Sequence, residues 1–258
     1  MTSLGAIIAA ARPLPEGGFS AESPPNWAQG RTTYGGLSAA LALHAARASA
    51  PDLPPLRSAQ VAFVGPLAGE LAVRPTVLRH GRSAAFIRVE VRAGDTLGLT
   101  ALFTFMAPRE SKIARDAAPR ATQPAPAPDL TFAPGPDGFF TGNFDYVDLA
   151  EHAPGPAEWL RWARLRERDG VDPLVGLLAI ADALPPAALK LLGGFAPLST
   201  LTWMMTFLDP APATRDGWWL LHADADHAEG GYSSQHMTIW NADGRAIVHG
   251  MQAVAIFA

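Results

Sequence analysis

The 258-residue sequence contains no cysteine. That excludes a disulfide framework, a thiolate nucleophile and any Cys-ligated zinc or iron–sulfur site, and it fits a cytoplasmic protein. No stretch approaches the roughly 18 uninterrupted apolar residues that a membrane-spanning helix needs. Positive charge is in short supply, with 20 Lys and Arg against 24 Asp and Glu and a net charge of -4. A nucleic-acid-binding face gives the opposite balance, so no nucleic-acid partner is expected. The G-x-S-x-G elbow, the Walker A loop and the G-x-G-x-x-G fingerprint are all missing, and with them the minimum equipment of a serine hydrolase, an NTPase and a dinucleotide enzyme. The mild apolar run from Ile7 to Ala11 has no Lys or Arg ahead of it, and we read no targeting signal there.

What is present is a globular composition, 48% hydrophobic and 17% charged, with 24 prolines where a typical chain of this length carries about 13. The excess is uneven: seven of the prolines fall between Pro108 and Pro136. That segment is charged at one end, from Arg109 to Asp116, and alternates Pro and Ala at the other, from Pro124 to Pro128. Such a composition makes an extended, semi-rigid connector, and a structureless loop of that length is uncommon inside one compact domain. The expected organisation is an N-terminal unit over 1–107, a linker over 108–137 and a C-terminal unit over 138–258.

The two units follow one plan. After Gly35 and Gly36, the residues Leu37, Leu41, His44 and Ala45 recur at helical spacing until Pro51. Four strand-like runs follow, Arg57 to Val64, Glu70 to Leu78, Ser83 to Arg92 and Thr96 to Met106, separated by Gly-Pro, His-Gly and Gly-Asp turns. In the second unit Asp172-Pro173 is an N-cap followed by a first-turn proline, and Leu174, Leu177, Leu178 and Ala181 carry the helix to Pro185. Four strands follow again, Leu198 to Leu208, Trp218 to Asp226, Tyr232 to Trp240 and Arg245 to Phe257. Further strand material precedes each helix, Gly18 to Trp27 in one unit and Phe139 to Leu149 in the other, where Trp159 to Arg166 is readable as strand or helix. A helix followed by an antiparallel meander is buried only if the sheet curls around it, which gives an α+β fold of two tandem hot-dog repeats.

Two such repeats on one chain resemble the acyl-CoA thioesterase II family, whose members hydrolyse fatty acyl-CoA thioesters. The resemblance implies a water-activating Asp, Thr and Gln. Asp182 matches in Ala181-Asp182-Ala183-Leu184-Pro185, Thr200 in Ser199-Thr200-Leu201-Thr202, and Gln252 in Gly250-Met251-Gln252-Ala253. Thr202 stands where relatives often carry an Asp. The implied substrate is an acyl-CoA, with no cofactor and no metal, and exposed sheet edges on such a fold point to a homodimer or larger assembly.

On their own physics the three residues are unequal. Asp182 continues the stripe of Leu174 and Leu178, and a carboxylate facing a core is costly unless it is hydrogen-bonded or used. By strand alternation Thr200 shares a face with Thr202, Met204 and Thr206, and alone it reads as an ordinary strand residue. Gln252 interrupts an apolar face made by Val248, Gly250, Val254 and Ile256. A thioester needs a positioned water, a base and oxyanion donors, and no acyl-enzyme is expected without a Ser or Cys nucleophile. Gly35 and Gly36 let a ligand approach the backbone at a helix N-terminus, or simply let helix and sheet pack closely. His222 and His227, five apart on a strand, face opposite sides unless a bulge intervenes, so no metal is expected; Asp226 and His227 are candidates for lining the substrate pocket. Trp159, Trp162, Trp203, Trp218 and Trp219 read as core of the second unit. Two other readings of the fold remain open at this point, a non-catalytic acyl-thioester binding or assembly module and an enoyl-thioester hydratase or dehydratase.

Overall fold

The computed structural model describes residues 1–133, 135–136, 138–149, 154–194 and 196–257. In the first half the elements are α1 (Leu4–Ala9), β1 (Arg12–Pro13), β2 (Phe19–Ser23), β3 (Ala28–Gln29), β4 (Thr32–Thr33), α2 (Gly35–Ala48), β5 (Leu56–Phe63), β6 (Gly69–His80), β7 (Ala84–Ala93) and β8 (Thr96–Met106). The second half contributes β9 (Phe144–Asp148), β10 (Glu158–Leu165), α3 (Pro173–Ala181), β11 (Leu198–Phe207), β12 (Trp219–Glu229), β13 (Tyr232–Asn241) and β14 (Ala246–Ile256).

Twelve of the strands form one antiparallel sheet in the order β1-β2-β6-β7-β8-β5-β11-β14-β13-β12-β10-β9. Read outward from the seam between β5 and β11, the two halves have the same order, so each strand of this sheet has a counterpart in the other half, while β3 and β4 pair apart from it. This is the double hot-dog architecture, two sheets joined edge to edge with a helix from each half on the inner face. The seam itself is five residue pairs, from Thr202 opposite Ala62 to Thr206 opposite Ser58. The outer edges are short, two residues with Pro13 in β1 and five in β9, which limits further strand addition.

The helices lie antiparallel. Arg47 in the last turn of α2 pairs with Asp172, the N-cap of α3, at 3.0 Å, while the Tyr34 hydroxyl at the start of α2 donates to the Ala179 carbonyl near the end of α3 at 2.8 Å. Close approach is possible because α2 opens on glycine: a Cβ on Gly36 would sit 2.5 Å from the Ala179 oxygen. Asp172 accepts from the N–H groups of Leu174 and Val175, satisfying two donors orphaned at that helix end, where Pro173 has no N–H to satisfy. Leu37, Leu41 and Leu43 of α2 and Leu177 and Leu178 of α3 are sealed in one continuous core with Ile87, Val89 and Phe103 of the first half. Each such leucine contributes about 1.5 to 3 kcal/mol by leaving water. A second seam joins Asn26 and Asn143, each buried in a 3₁₀ turn: Asn26 donates to the Asn143 side chain at 2.7 Å, and Asn143 donates back to the Asn26 carbonyl at 2.6 Å.

The fold resolves one alternative left open by the sequence and corrects one expectation. Trp159 to Arg166 is a strand, because Trp162 points to one side while Ala163 and Leu165 point into the main core, and both neighbours pair with it. The tryptophans are not one cluster. Trp203 and Trp219 belong to the main core, whereas Trp162 and Trp218 lie on the other side of the sheet with Leu220 and Trp240. That outer cluster is covered by the proline-rich segment, whose Ala118, Ala121, Ala125 and Phe132 pack on it. Trp240 donates its indole N–H to the Pro119 carbonyl at 2.7 Å, and the Ala121 N–H donates to the Gly244 carbonyl at 3.0 Å. The segment is therefore a strap laid over an apolar surface.

Candidate active site

Asp182 is the C-cap residue of α3 and meets the N-terminus of α2 coming from the other half. Gln252 on β14 donates from Nε2 to Asp182 Oδ1 at 2.9 Å, and the Gly36 N–H donates to the same carboxylate. The other oxygen faces Gly35, where an added Cβ would come within 2.6 Å of Oδ2 and 3.0 Å of the Phe63 ring. Glycine is thus required there because the carboxylate and the helix start occupy the space of any side chain. The close approach read from Gly35-Gly36 has a concrete partner, the Asp182 carboxylate.

The electrostatics are mixed. Asp182 as a residue keeps some exposure, but its carboxyl group is deeply enclosed. Burial pushes its pKa up from 3.8 to about 7, and the hydrogen bonds from Gln252 and Gly36 pull in the opposite direction without cancelling that cost. The negative end of α3 disfavours the charge and the positive end of α2 favours it. Two tyrosines close the surroundings. Tyr34 donates to the Ala179 carbonyl in the last turn of α3, and Tyr146 donates to the Ala183 carbonyl just past its C-cap at 3.2 Å. Burial, with the Asp182 charge adding to it, holds both phenols protonated.

Gln252 is itself held. Gln235 on β13 lies directly opposite it in the ladder and donates from Nε2 to Gln252 Oε1 at 2.5 Å, while Gln235 Oε1 accepts from the Ala187 N–H at 2.8 Å. Both glutamines are almost fully buried. Sequence reasoning missed Gln235, Tyr34 and Tyr146. The one available signal for Gln235 is a polar residue alternating with Met237 and Ile239 on the inward face of its strand.

Thr200 reaches this face by a route that simple alternation does not give. β11 carries a bulge: Thr200 pairs with Val254, Thr202 with Ala253 and Trp203 with Gln252, leaving Leu201 unmatched. Residues directly opposite in a ladder point to the same side, so Thr200 lies on the inner face with Val254, Gln252 and Trp203. Thr202 lies on the outer face with Ala253. The shared face of Thr200 with Thr202, Met204 and Thr206 is corrected accordingly. No direct hydrogen bond joins Thr200 to Asp182 or Gln252 among the described residues.

The remaining candidates lie elsewhere. A bulge between Ala225 and His227 does return His222 and His227 to one face. Four ladder steps still separate them, roughly 13 Å at strand rise, and His222 pairs with Glu158 at 3.0 Å while His227 rests on the Tyr232 ring. No group of three or more His, Asp and Glu side chains arranged for a metal occurs among the described residues. Asp226 pairs with His236 at 3.0 Å on the exposed end of the same hairpin. A groove of about 590 Å³ lined by Gln60, Leu78, Arg88, Met204, Tyr232 and Met251 opens on the outer side of the sheet, opposite the helices. Its lining is not the Asp182 site; Gln252 only backs it.

Two family profiles match the chain, "Acyl-CoA thioesterase N-terminal domain" over 23–106 and "Acyl-CoA thioesterase C-terminal domain" over 115–256. No curated protein matches. Among solved structures, a conserved hot-dog protein of unknown function from Alicyclobacillus acidocaldarius is 24% identical with a TM-score of 0.81, over 100% of this chain and 99% of its own. An acyl-CoA thioesterase II from Mycobacterium marinum is 19% identical with a TM-score of 0.73, over 98% and 96%. At these identities the structural likeness shows the fold.

Proposed function

Because the chain belongs to the acyl-CoA thioesterase family and is a thioester hydrolase, we propose that it cleaves acyl-CoA through a water held by Asp182, Thr200 and Gln252. In this reading Asp182 is the general base. Gln252 occupies Oδ1, which leaves Oδ2 to take a proton from the water as its oxygen bonds to the thioester carbonyl carbon. The carbonyl π electrons move to oxygen and are stabilised by the Gly35 N–H at the start of α2, since the Gly36 N–H serves Asp182 and those of Leu37 and Ser38 donate to the Tyr34 carbonyl. Collapse of that tetrahedral species breaks the carbon–sulfur bond, CoA leaves as the thiolate, and the proton on Asp182 passes to the sulfur or to solvent. Thr200 Oγ1, on the inner face beside Gln252, orients the water by a hydrogen bond.

The observation that carries this reading is an enclosed carboxylate with a pKa near 7, set against two oriented donors. A base is most useful when its pKa lies near the working pH, and a purely structural aspartate gains nothing from such an enclosure. The test is release of CoA from a panel of acyl-CoA substrates of graded chain length, followed with a thiol reagent at about pH 8, above the raised carboxyl pKa. Asp182→Asn is expected to lower kcat at least about 100-fold, and Gln252→Ala and Thr200→Val roughly 10- to 100-fold. Wild-type turnover in Asp182→Asn would reject the site, and no CoA release from any acyl-CoA by the wild type would favour a binding module.

A further inference from the structure

We propose that Gln235 is a positioning residue for this site, fixing which end of the Gln252 amide faces Asp182. The inference rests on the reading of Asp182 as the base. A glutamine amide has a donor end and an acceptor end of almost the same shape, so an unrestrained Gln252 could present either. If its oxygen faced the carboxylate, two acceptors would oppose each other and the charge would lose a stabilising donor.

The hydrogen-bond chain removes that ambiguity from both ends. At one end stands the backbone N–H of Ala187, which can only donate, 2.8 Å from Gln235. Gln235 must therefore turn its oxygen toward Ala187 and its Nε2 toward Gln252, which accepts at 2.5 Å. Gln252 then has only its Nε2 left to offer Asp182, at 2.9 Å. At the other end, ionised Asp182 can only accept, and it demands the same orientation independently. Both glutamines are nearly sealed from water, so solvent cannot supply an alternative partner to either. The groups around the carboxylate do not compete for this role. Tyr34 and Tyr146 are neutral and spend their hydroxyl hydrogens on the Ala179 and Ala183 carbonyls, and α2 contributes the Gly36 N–H. Gln235 makes its side-chain hydrogen bonds to Ala187 and Gln252, not to Asp182. Its action runs through Gln252.

The test is a double-mutant cycle with Gln235→Met and Gln252→Met, read as kcat, KM and the pH dependence of kcat/KM. Met keeps the length of the side chain and removes its hydrogen bonds. Gln235→Met is expected to lower kcat roughly 10- to 100-fold with KM within about twofold, because it disturbs orientation at the reacting centre. The acid limb of its pH profile is expected to move to higher pH, since Asp182 loses a steady donor. Gln235→Met/Gln252→Met is expected to be no slower than Gln252→Met alone, because a residue acting only through Gln252 has nothing left to position. If Gln235→Met does not fold, the comparison of the double variant with Gln252→Met still decides, as the double replaces both members of the buried polar pair by apolar groups. Wild-type kcat and pH profile in Gln235→Met, or a double variant slower by the product of the single losses, would overturn the inference. If Asp182→Asn is inactive while Gln235→Met behaves as wild type, only the positioning role fails. If Asp182→Asn is active, the reading beneath it fails.

Discussion

Asp182 costs the fold something, and the sign of that cost can be worked out. Its folded pKa is raised from 3.8 to about 7, so between those values the folded protein holds a proton that the unfolded chain has released. Stability therefore falls as pH rises through this window, by about 1.4 kcal/mol per unit, and the full penalty, on the order of 4 kcal/mol, is present above the raised pKa. In an Asp182→Asn variant the new amide would keep an acceptor for Gln252 and Gly36 without the charge. Thermal melting of that variant is expected to exceed the wild type by on the order of 10 °C at about pH 8, with the difference vanishing near pH 4. An unchanged or lower Tm on the alkaline side would mean that the carboxylate is not strained by its burial. Asp182 and Gln252 were marked in the sequence by the family resemblance; on their own physics a carboxylate on the Leu174–Leu178 stripe reads equally as a helix end that reaches solvent, and a Gln on an apolar face reads as one paired with backbone. Gln235 was not marked, since its importance comes from standing opposite Gln252, and cross-strand register is not written in either strand alone.

At the scale of elements, α2, α3 and the long strands followed from periodicity, with bounds that agree within a few residues, whereas the short α1 was not read from the sequence. The start of β11 did not follow. Strict alternation places Thr200 outward, and nothing in Ser-Thr-Leu-Thr announces the bulge that turns it inward. The bulge has a testable consequence. Deleting Leu201, which is 42% exposed and adds little to the core, should restore regular pairing while leaving Thr200 opposite Val254 on the inner face. The deletion variant is expected to melt cooperatively and to keep kcat within about tenfold of the wild type, well above that of Thr200→Val. Circular dichroism and CoA release check this, and a folded deletion variant as slow as Thr200→Val would show that regular pairing does not hold Thr200 on the inner face. β10 was ambiguous for a different reason: a strand whose tryptophans are shared between an inner core and an outer strap has apolar residues on both sides, which blurs period two.

For the whole molecule, the duplication explains why the site exists. The carboxylate ends a helix of one half, and the Gly36 donor and the Gly35 gap begin a helix of the other; antiparallel packing of α2 and α3 brings them together. We place the boundary between repeats within 108–137, with 1–107 and 138–258 as the two copies. The proline content announced that segment as extended, but not that it covers Trp162, Trp218 and Trp240, because the outer apolar surface is assembled from three separate stretches of chain. Burial between two helices from two repeats is also what sets the working pH in this account. The most direct test is kcat/KM for acyl-CoA hydrolysis from about pH 5 to 9. The account predicts a rise with pH of slope one and an apparent ionisation near 7, absent from the residual activity of Asp182→Asn. A flat profile in the wild type, or the same limb in Asp182→Asn, would contradict Asp182 as the base.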